Sequence, residues 1–264
     1  MYCSCTPAAF PGPIGDYHGY ARHDFVMDGC ECVVVCPPTE VPGRHWIWRA
    51  EFFDHRPDTD LALLALGFHL AYMDVRNTFG CPSAMDHFDI FYALLTTDHG
   101  FHRRPVLEGY SRGGLYCYNW ARRDPSRVAC IYGDAPVCDF RSWPAGRGRG
   151  RGNPPEWEKL LRDYGFASEQ EALEYDGNPV DNLAPLAEAG IPIIHVFGDA
   201  DEDVPWEENT KVVYERYTAL GGHMELIRKP GVAHHPHSLD DPTPIVDFIL
   251  RHTAQAASGP QTTE

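Results

Sequence analysis

A serine in the stretch 105–120 has the sequence context best suited to nucleophilic chemistry. Ser111 lies in Gly109-Tyr-Ser-Arg-Gly113, a Gly-x-Ser-x-Gly pattern with a short apolar run before it and helix-compatible residues after it. A sharp turn between a strand and a helix would expose the serine hydroxyl at the carboxyl end of the strand. The helix N-terminus would then offer main-chain N–H groups to a developing oxyanion. The pattern also occurs at ordinary tight turns, so the interpretation depends on the rest of the chain.

A carboxylate that could orient a catalytic base follows a later predicted strand. Asp201 occupies the central acidic position of the loop Gly198-Asp-Ala-Asp-Glu-Asp-Val-Pro205. Such a carboxylate fixes the tautomer of an imidazole and stabilises its protonated form. Asp199 and Asp203 are close enough in sequence to compete for this role, and Asp134, after the preceding strand, is a further alternative. We choose Asp201 because its position in the loop fits best.

A candidate base lies in a histidine-rich loop after the next predicted strand. The segment Lys229-Pro-Gly-Val-Ala-His-His-Pro-His237 places His234 in a Gly-x-x-His pattern. Histidine titrates near neutral pH and can accept the proton of a serine hydroxyl. His235 would occupy the same place after a one-residue shift of the loop, and we choose His234. A metal site in this cluster is an alternative, but it would leave Ser111 and Asp201 unexplained, so we predict no metal.

The order Ser111, Asp201, His234, with gaps of 90 and 33 residues, resembles that of the α/β-hydrolase superfamily. The resemblance rests on the serine turn, the Gly-x-x-Asp-x-x-Val-Pro loop and the Gly-x-x-His loop, and it covers roughly residues 25–251. Within the superfamily, the chain is similar to single-domain esterases related to the prolyl-oligopeptidase catalytic domain. The resemblance implies a Ser-Asp-His triad and no cofactor.

The resemblance also implies an oxyanion hole beside the serine. One donor would be the main-chain N–H of Arg112, the residue after the nucleophile. The second would come from the loop after an earlier strand, where this chain has His45-Trp-Ile-Trp-Arg49 in place of the family's His-Gly-Gly form. We therefore predict Trp48 as the second donor. Trp46 and Tyr110 are predicted to line the substrate site, although aromatic residues in such a loop can also simply pack.

A basic stretch interrupts an otherwise acidic chain. Arg141, Arg147, Arg149 and Arg151 lie close together in a Gly-rich segment, whereas the chain as a whole has a formal charge of −16. The segment is either a solvated loop or a lid whose arginines attract a carboxylate- or sulfate-bearing substrate. We predict Arg147, Arg149 and Arg151 as substrate-binding residues on the second interpretation.

The alternation of apolar runs and helical patterns predicts an α/β-hydrolase fold. A mostly parallel sheet should carry helices on both faces, in one domain over residues 1–254. Residues 1–21 are predicted to form an irregular arm, and residues 139–182, where the alternation stops, a lid insertion. The polar stretch 255–264 is predicted to be a disordered tail.

Composition limits the function classes that fit. A formal charge of −16 argues against nucleic-acid binding, and no apolar run is long enough to span a membrane. The first twenty residues lack Lys, Arg and an apolar segment, so we predict no secretory signal and a cytoplasmic location. The nine cysteines are expected to be reduced thiols, with an N-terminal disulfide as the alternative. The sequence leaves the oligomeric state open.

These features together predict a serine hydrolase that cleaves carboxylic esters through an acyl-enzyme. The aromatic loop and the basic segment favour acyl or acetyl esters of carbohydrate-like material, so a small-molecule or saccharide ester is the expected substrate. One alternative is a small serine peptidase of the prolyl-oligopeptidase type. Another is a non-catalytic binding module on the same fold, against which the intact Ser, Asp and His set argues.

Overall fold

A single nine-stranded sheet organises the part of the chain that the structure describes, residues 10–254 of a computed structural model. The predictions for residues 1–9 of the arm and for the tail 255–264 lie outside the described residues. The strands are β1 (Ile14–Tyr17), β2 (Tyr20–Met27), β3 (Cys30–Cys36), β4 (Trp46–Arg49), β5 (His69–Asp74), β6 (Val106–Tyr110), β7 (Cys130–Asp134), β8 (Ile193–Gly198) and β9 (Met224–Lys229).

The sheet changes from antiparallel to parallel along its width. Its order is β1-β2-β3-β5-β4-β6-β7-β8-β9. The pairs from β1 to β5 are antiparallel, and every pair from β5 through β4 to β9 is parallel. Because parallel strands end at a common edge, the loops after β4, β6, β7, β8 and β9 meet at one side of the sheet. Any site built from those loops must lie there.

Helices cover both faces of this sheet. They are α1 (Asp58–Ala65), α2 (Pro82–Ala93), α3 (Gly113–Arg123), α4 (Pro154–Tyr164), α5 (Glu169–Glu174), α6 (Ala184–Glu188), α7 (Thr210–Ala219) and α8 (Thr243–Ala254), and Leu94–Asp98 continues α2 as a π-helical turn. Alternate residues of the inner strands enter two different cores, as in β4, where Trp46 and Trp48 face one side and Ile47 the other. The predicted α/β-hydrolase fold is therefore confirmed.

Two short strands lie where the sequence predicted irregular chain. β1 and the first two residues of β2 fall inside the predicted arm, residues 1–21. This part of the chain therefore belongs to the antiparallel edge of the sheet. β4 falls inside what was predicted to be an aromatic connection. It is only four residues long, all of them buried, and it pairs with strands on both sides. The strand ends in a charged residue, Arg49, and this charge favoured a loop in the sequence analysis although the side chain is buried.

The segment 139–182 lies between β7 and β8 and contains α4 and α5. It has a small apolar core of its own, in which Phe140, Trp157 and Leu160 pack with Leu115 of α3 and Val204. Asn153 caps α4 by accepting a hydrogen bond from the main chain of Glu156, and Ser168 caps α5 in the same way. The segment is thus anchored on the edge of the sheet where the loops meet.

Seven cysteines fall in the described range, and all seven are free thiols. Burial raises the pKa of several of them, including that of Cys36 to about 11. In the same range, no helix combines the length and the apolar character that crossing a membrane requires.

Candidate active site

Ser111 lies in a strained turn between β6 and α3. Its φ is +49°, a left-handed value that costs free energy for a residue with a side chain. Its amide donates to the main-chain oxygen of Asp134 at 2.9 Å, and its own carbonyl accepts from Val137 at 2.8 Å. These bonds to the neighbouring strand and loop hold the turn in place. The hydroxyl is consequently presented at the carboxyl edge of the sheet.

The glycines around Ser111 permit close approach of the main chain. A Cβ on Gly109 would lie 2.7 Å from the carbonyl of Gly113, and one on Gly114 would lie 2.7 Å from the oxygen of Val137. Neither distance is tolerable for a side chain, because the contacts are with main-chain atoms. The first glycine of the Gly-x-Ser-x-Gly pattern and the glycine that follows the pattern are therefore steric requirements of the crossing between strand and helix, whereas a Cβ on Gly113 would meet its nearest atom, in the side chain of Glu51, at 3.4 Å.

His234 and Asp201 complete a continuous hydrogen-bonded chain with Ser111. The Oγ of Ser111 lies 2.9 Å from Nε2 of His234, and Nδ1 of His234 lies 2.7 Å from Oδ2 of Asp201. The other oxygen of Asp201 accepts the main-chain N–H groups of Asp203 and Val204, each at 2.9 Å. All three side chains of this chain are buried or nearly so. The carboxylate is thereby fixed so that it orients the imidazole ring.

The competing acids have other partners. Asp134 contacts His237 rather than His234, with 2.7 Å between its Oδ1 and Nδ1 of the ring. Asp199 accepts from the guanidinium of Arg228 and the main chain of Gly231. Of the four aspartates considered in the sequence, Asp201 is the one that is hydrogen-bonded to His234.

A cavity of about 390 Å³ opens beside Ser111. Its wall is formed by the loops after β4, β6, β8 and β9 together with part of the 139–182 segment. The lining residues are Phe52, His55, Ser111, Arg112, Trp143, Gly152, Asn153, Asp203, Val204, His234, His235 and His237. The volume falls in the range of sites for small ligands, so a compact acyl or aminoacyl group would fit beside the serine.

Arg112 projects from the serine turn into the wall of this cavity. Its Nη2 lies 3.1 Å from Oε1 of Glu51, and its guanidinium lies over the ring of Phe52 at 4.6 Å. Burial raises the pKa of Glu51, and the neighbouring Arg112 opposes that shift. Phe52 has a φ of +56°, so the chain turns sharply in the loop after β4. Phe52 and Ser111 line the same cavity.

Trp48 does not lie at the site, contrary to the sequence prediction. It is in the middle of β4, fully buried, and its ring packs on Phe88 at 4.6 Å and on Trp120 at 5.0 Å. Its main chain belongs to the sheet because β4 pairs with a strand on each side. The prediction of Trp48 as an oxyanion donor was wrong because Trp48 belongs to β4 and not to the loop that follows this strand.

Trp46 and Tyr110 are also core residues rather than cavity residues. Trp46 is fully buried and donates from its indole to the carbonyl of His102 at 2.7 Å. Tyr110 is buried beneath the serine turn, and its ring stacks on that of His237 with centroids 5.3 Å apart. Both predictions of direct substrate contact are therefore corrected. Tyr110 supports the histidine loop from below.

The three predicted substrate-binding arginines lie at the surface with acidic partners. Arg147 pairs with Glu169, Arg149 with Glu207 at 3.2 Å, and Arg151 with Glu202. None of the three is among the cavity-lining residues, although Gly152 and Asn153 next to them are. The glutamates neutralise the positive patch that the sequence suggested. The interpretation of this loop as an anion-attracting lid therefore loses its basis.

A buried arginine that the sequence analysis did not single out supports the cavity wall. Arg49 pairs with Asp60, and its Nη1 lies 3.4 Å from Glu108; all three side chains are almost fully buried. Its Nε donates to the carbonyl of Phe52 at 3.1 Å, and its Nη2 donates to that of His55. Arg49 thus fixes the loop after β4 from inside the protein. Its only sequence signal is a charge at the end of a short apolar run.

His195 is a core histidine and not part of the candidate site. It is fully buried in β8, 2.8 Å from the hydroxyl of Tyr118 and 3.0 Å from that of Thr210. Burial lowers the pKa of this imidazole to about 3, so it stays neutral.

Comparison with known proteins shows a likeness in structure but none in sequence. No family model and no curated protein sequence matches the chain. Among solved structures, dipeptidyl peptidase 4 from Porphyromonas gingivalis superposes with a TM-score of 0.68 at 16% identity over 90% of this chain and 36% of that one. A puromycin hydrolase gives 0.65 at 16% identity, over 91% of this chain and 40% of that one. A puromycin-hydrolyzing peptidase from Mycobacterium tuberculosis gives 0.64 at 13% identity, over 93% and 41%.

These similarities define the fold of the chain. The chain spans well under half the length of each of the three solved proteins, so it is similar to one part of them. At such low identity, the likeness is evidence for the α/β-hydrolase fold and not for a shared substrate.

Proposed function

We propose that this protein is a serine hydrolase in which Ser111 is the nucleophile, His234 the general base and Asp201 the orienting carboxylate. The observation that carries the proposal is the hydrogen-bonded chain of 2.9 Å and 2.7 Å that joins the three side chains. A serine hydroxyl is a weak nucleophile unless an adjacent base accepts its proton. The strained turn at Ser111 and the cavity beside it add further support.

The proposed reaction has two halves. Ser111 Oγ attacks the substrate carbonyl while Nε2 of His234 accepts the hydroxyl proton, and the same nitrogen then protonates the leaving group. An acyl-serine ester remains, and water activated by His234 hydrolyses it to release the acid and regenerate the serine. Asp201 accepts a hydrogen bond from the Nδ1–H of the ring throughout and stabilises the imidazolium without taking its proton. The reaction needs no cofactor.

The oxyanion would be stabilised by main-chain N–H groups. Arg112, at the N-terminus of α3, supplies one, as the sequence analysis proposed. For the second donor, we propose the main-chain N–H of Phe52 instead of that of Trp48. Phe52 lines the cavity with Ser111, lies in the loop three residues after the end of β4 and adopts a left-handed conformation.

We propose an amide of a short peptide or of an aminoacyl group as the substrate, in preference to a carbohydrate ester. The solved proteins with a similar fold include two peptidases and a puromycin hydrolase. The arginine pairs at the surface remove the main argument for an acidic sugar. The same triad would also cleave reactive esters, since an ester is the easier acyl donor.

Paired substrates test this proposal. Aminoacyl and dipeptidyl nitroanilides, nitrophenyl esters and acetylated sugars are offered to the wild-type protein and to Ser111→Ala. We expect turnover of at least one nitroanilide series and of short nitrophenyl esters, and a loss of about 10⁴-fold or more in kcat for both in Ser111→Ala. Turnover that survives in Ser111→Ala would contradict the serine mechanism. Turnover of acetylated sugars without any nitroanilide would contradict the amide specificity.

A further inference from the structure

Three histidines outside the proposed triad come together in the wall of the same cavity. His55 follows β4, whereas His235 and His237 follow β9. Each offers a ring nitrogen, and these atoms all lie within 4.8 Å of one another. The ring centroids of His235 and His237 are 4.8 Å apart, and that of His55 is 5.7 Å from His237. Such a convergence from two separate loops is unexplained by the proposed hydrolysis.

One of these histidines is held in the way that metal-binding histidines usually are. Nδ1 of His237 donates to Oδ1 of Asp134 at 2.7 Å, which leaves Nε2 as the nitrogen with a free lone pair. The other oxygen of Asp134 accepts from the amide of Ser238 and the hydroxyl of Tyr132, both at 2.9 Å. A carboxylate that fixes the far side of an imidazole is the common outer partner of a metal ligand.

The other two histidines approach His237 from different loops. His55 and His235 are both exposed, and their ring centroids lie 6.1 Å apart. A metal ion could therefore reach their ring nitrogens from the cavity.

We propose that His55, His235 and His237 form a binding site for a divalent transition metal, with Zn²⁺ as the best-fitting ion, and that its occupancy obstructs the cavity beside Ser111. Imidazole ligands suit zinc, copper and nickel rather than magnesium or calcium. Two nitrogens that bind a tetrahedral zinc at about 2.0–2.1 Å lie roughly 3.4 Å apart. The three ring nitrogens lie within 4.8 Å of one another, so each pair would have to approach by about 1.4 Å at most. Three protein ligands leave a fourth position open to water.

The location of the site gives the ion its proposed effect. The ring of His237 lies 4.8 Å from that of His234, and both residues line the cavity with Ser111. An ion and its water at this point would occupy space that the substrate needs. The binding of zinc is independent of the proposed function, whereas its inhibition of turnover rests on that function.

Direct binding is measured first, on a protein that cannot turn over substrate. Tag-free Ser111→Ala protein is titrated with ZnCl₂ at pH 7.5 by calorimetry and by competition with a chromogenic chelator. We expect one ion per chain, and affinity at least about tenfold weaker when His55→Gln or His235→Gln is added. Binding should also weaken at pH 5.5, because protons compete for the imidazoles.

A matched control comes from the other histidine cluster of the described residues. His223 lies within reach of Glu225 and His252 and directly precedes β9, whereas His235 and His237 follow the opposite end of that strand. Adding His223→Gln to the same background should leave the zinc affinity unchanged. The absence of zinc binding to the Ser111→Ala protein, or an equal loss with His223→Gln and His55→Gln, would overturn the site.

Inhibition is then measured on the wild-type protein with a nitrophenyl ester. Zinc should lower the rate and EDTA should restore it. The zinc concentration for half inhibition should rise at least about tenfold in His55→Gln, with each variant referred to its own zinc-free rate. Half inhibition at the same concentration in both proteins would overturn the inhibitory role. If the wild-type protein turns over no ester, the binding result is unaffected and the proposed function fails alone.

Discussion

Replacement of His234 by glutamine is expected to lower kcat for any substrate of this protein by about 10⁴- to 10⁶-fold. The physical reason is that the hydroxyl of Ser111 loses the imidazole that lies 2.9 Å away and would accept its proton. A glutamine amide cannot accept the proton at neutral pH. The rate is measured with the nitroanilide and ester panel, and KM should change far less than kcat, because the cavity wall keeps its shape.

Two comparisons make this prediction specific. Ser111→Ala/His234→Gln should be no slower than either single variant, because residues that act as a unit are not additive. His235→Gln should lose far less activity than His234→Gln, although the two residues are adjacent. A loss at His235 that equals or exceeds the loss at His234 would contradict the assignment of the base.

Replacement of Arg49 by methionine is expected to destabilise the protein by about 3–5 kcal/mol. The change removes the positive charge that Asp60 and Glu108 face, and both carboxyls are almost fully buried. Burial raises the pKa of Glu108 and the charge of Arg49 opposes that shift, so the variant also removes the cation that favours the ionised form of this carboxyl. Urea unfolding followed by far-UV circular dichroism gives the free energy of unfolding.

A double variant separates lost charge pairing from lost packing. Arg49→Met/Asp60→Leu should be more stable than Arg49→Met alone, because it removes one of the two buried carboxyls that the single variant leaves without a cation. Arg103→Met, a change at an exposed arginine, should stay within about 0.5 kcal/mol of wild type. A double variant that is no more stable than Arg49→Met alone would contradict this account of the pair.

Arg49 also links stability to the active site. Its guanidinium donates to the carbonyls of Phe52 and His55, which both line the cavity. Even where Arg49→Met/Asp60→Leu folds, the loop after β4 loses both bonds. Its kcat/KM should therefore remain below that of wild type.

The sequence was informative where function imposes strict local rules. The serine turn requires glycines at 109 and 114 because the main chains nearly touch there, so this local signal is present in a sequence that matches no family model. The acid and base positions follow from the order of the loops after β8 and β9. The structure then brings Ser111, Asp201 and His234 into contact, but their roles remain a prediction until activity is measured.

The sequence was misleading where the outcome depended on distant partners. β4 is four residues long and central, so its aromatic residues serve packing on one face while Arg49 pairs with an acid from α1. Neither fact is visible locally. The sequence predicted a basic patch from Arg147, Arg149 and Arg151. Their glutamate partners lie 22, 58 and 51 residues away along the chain, so the sequence of this segment alone does not show them. The charges of one segment predict the electrostatic potential at the surface only when the residues that face that segment are known.

The central claim, that Ser111 is an activated nucleophile, is tested most directly by labelling with a fluorophosphonate. The reagent phosphonylates a serine that a neighbouring base activates, and the reaction needs no knowledge of the substrate. We predict one adduct per chain by intact mass, located at Ser111 by peptide mapping, absent in Ser111→Ala and strongly slowed in His234→Gln. No adduct on the folded wild-type protein, or an adduct that persists in Ser111→Ala, would contradict the claim.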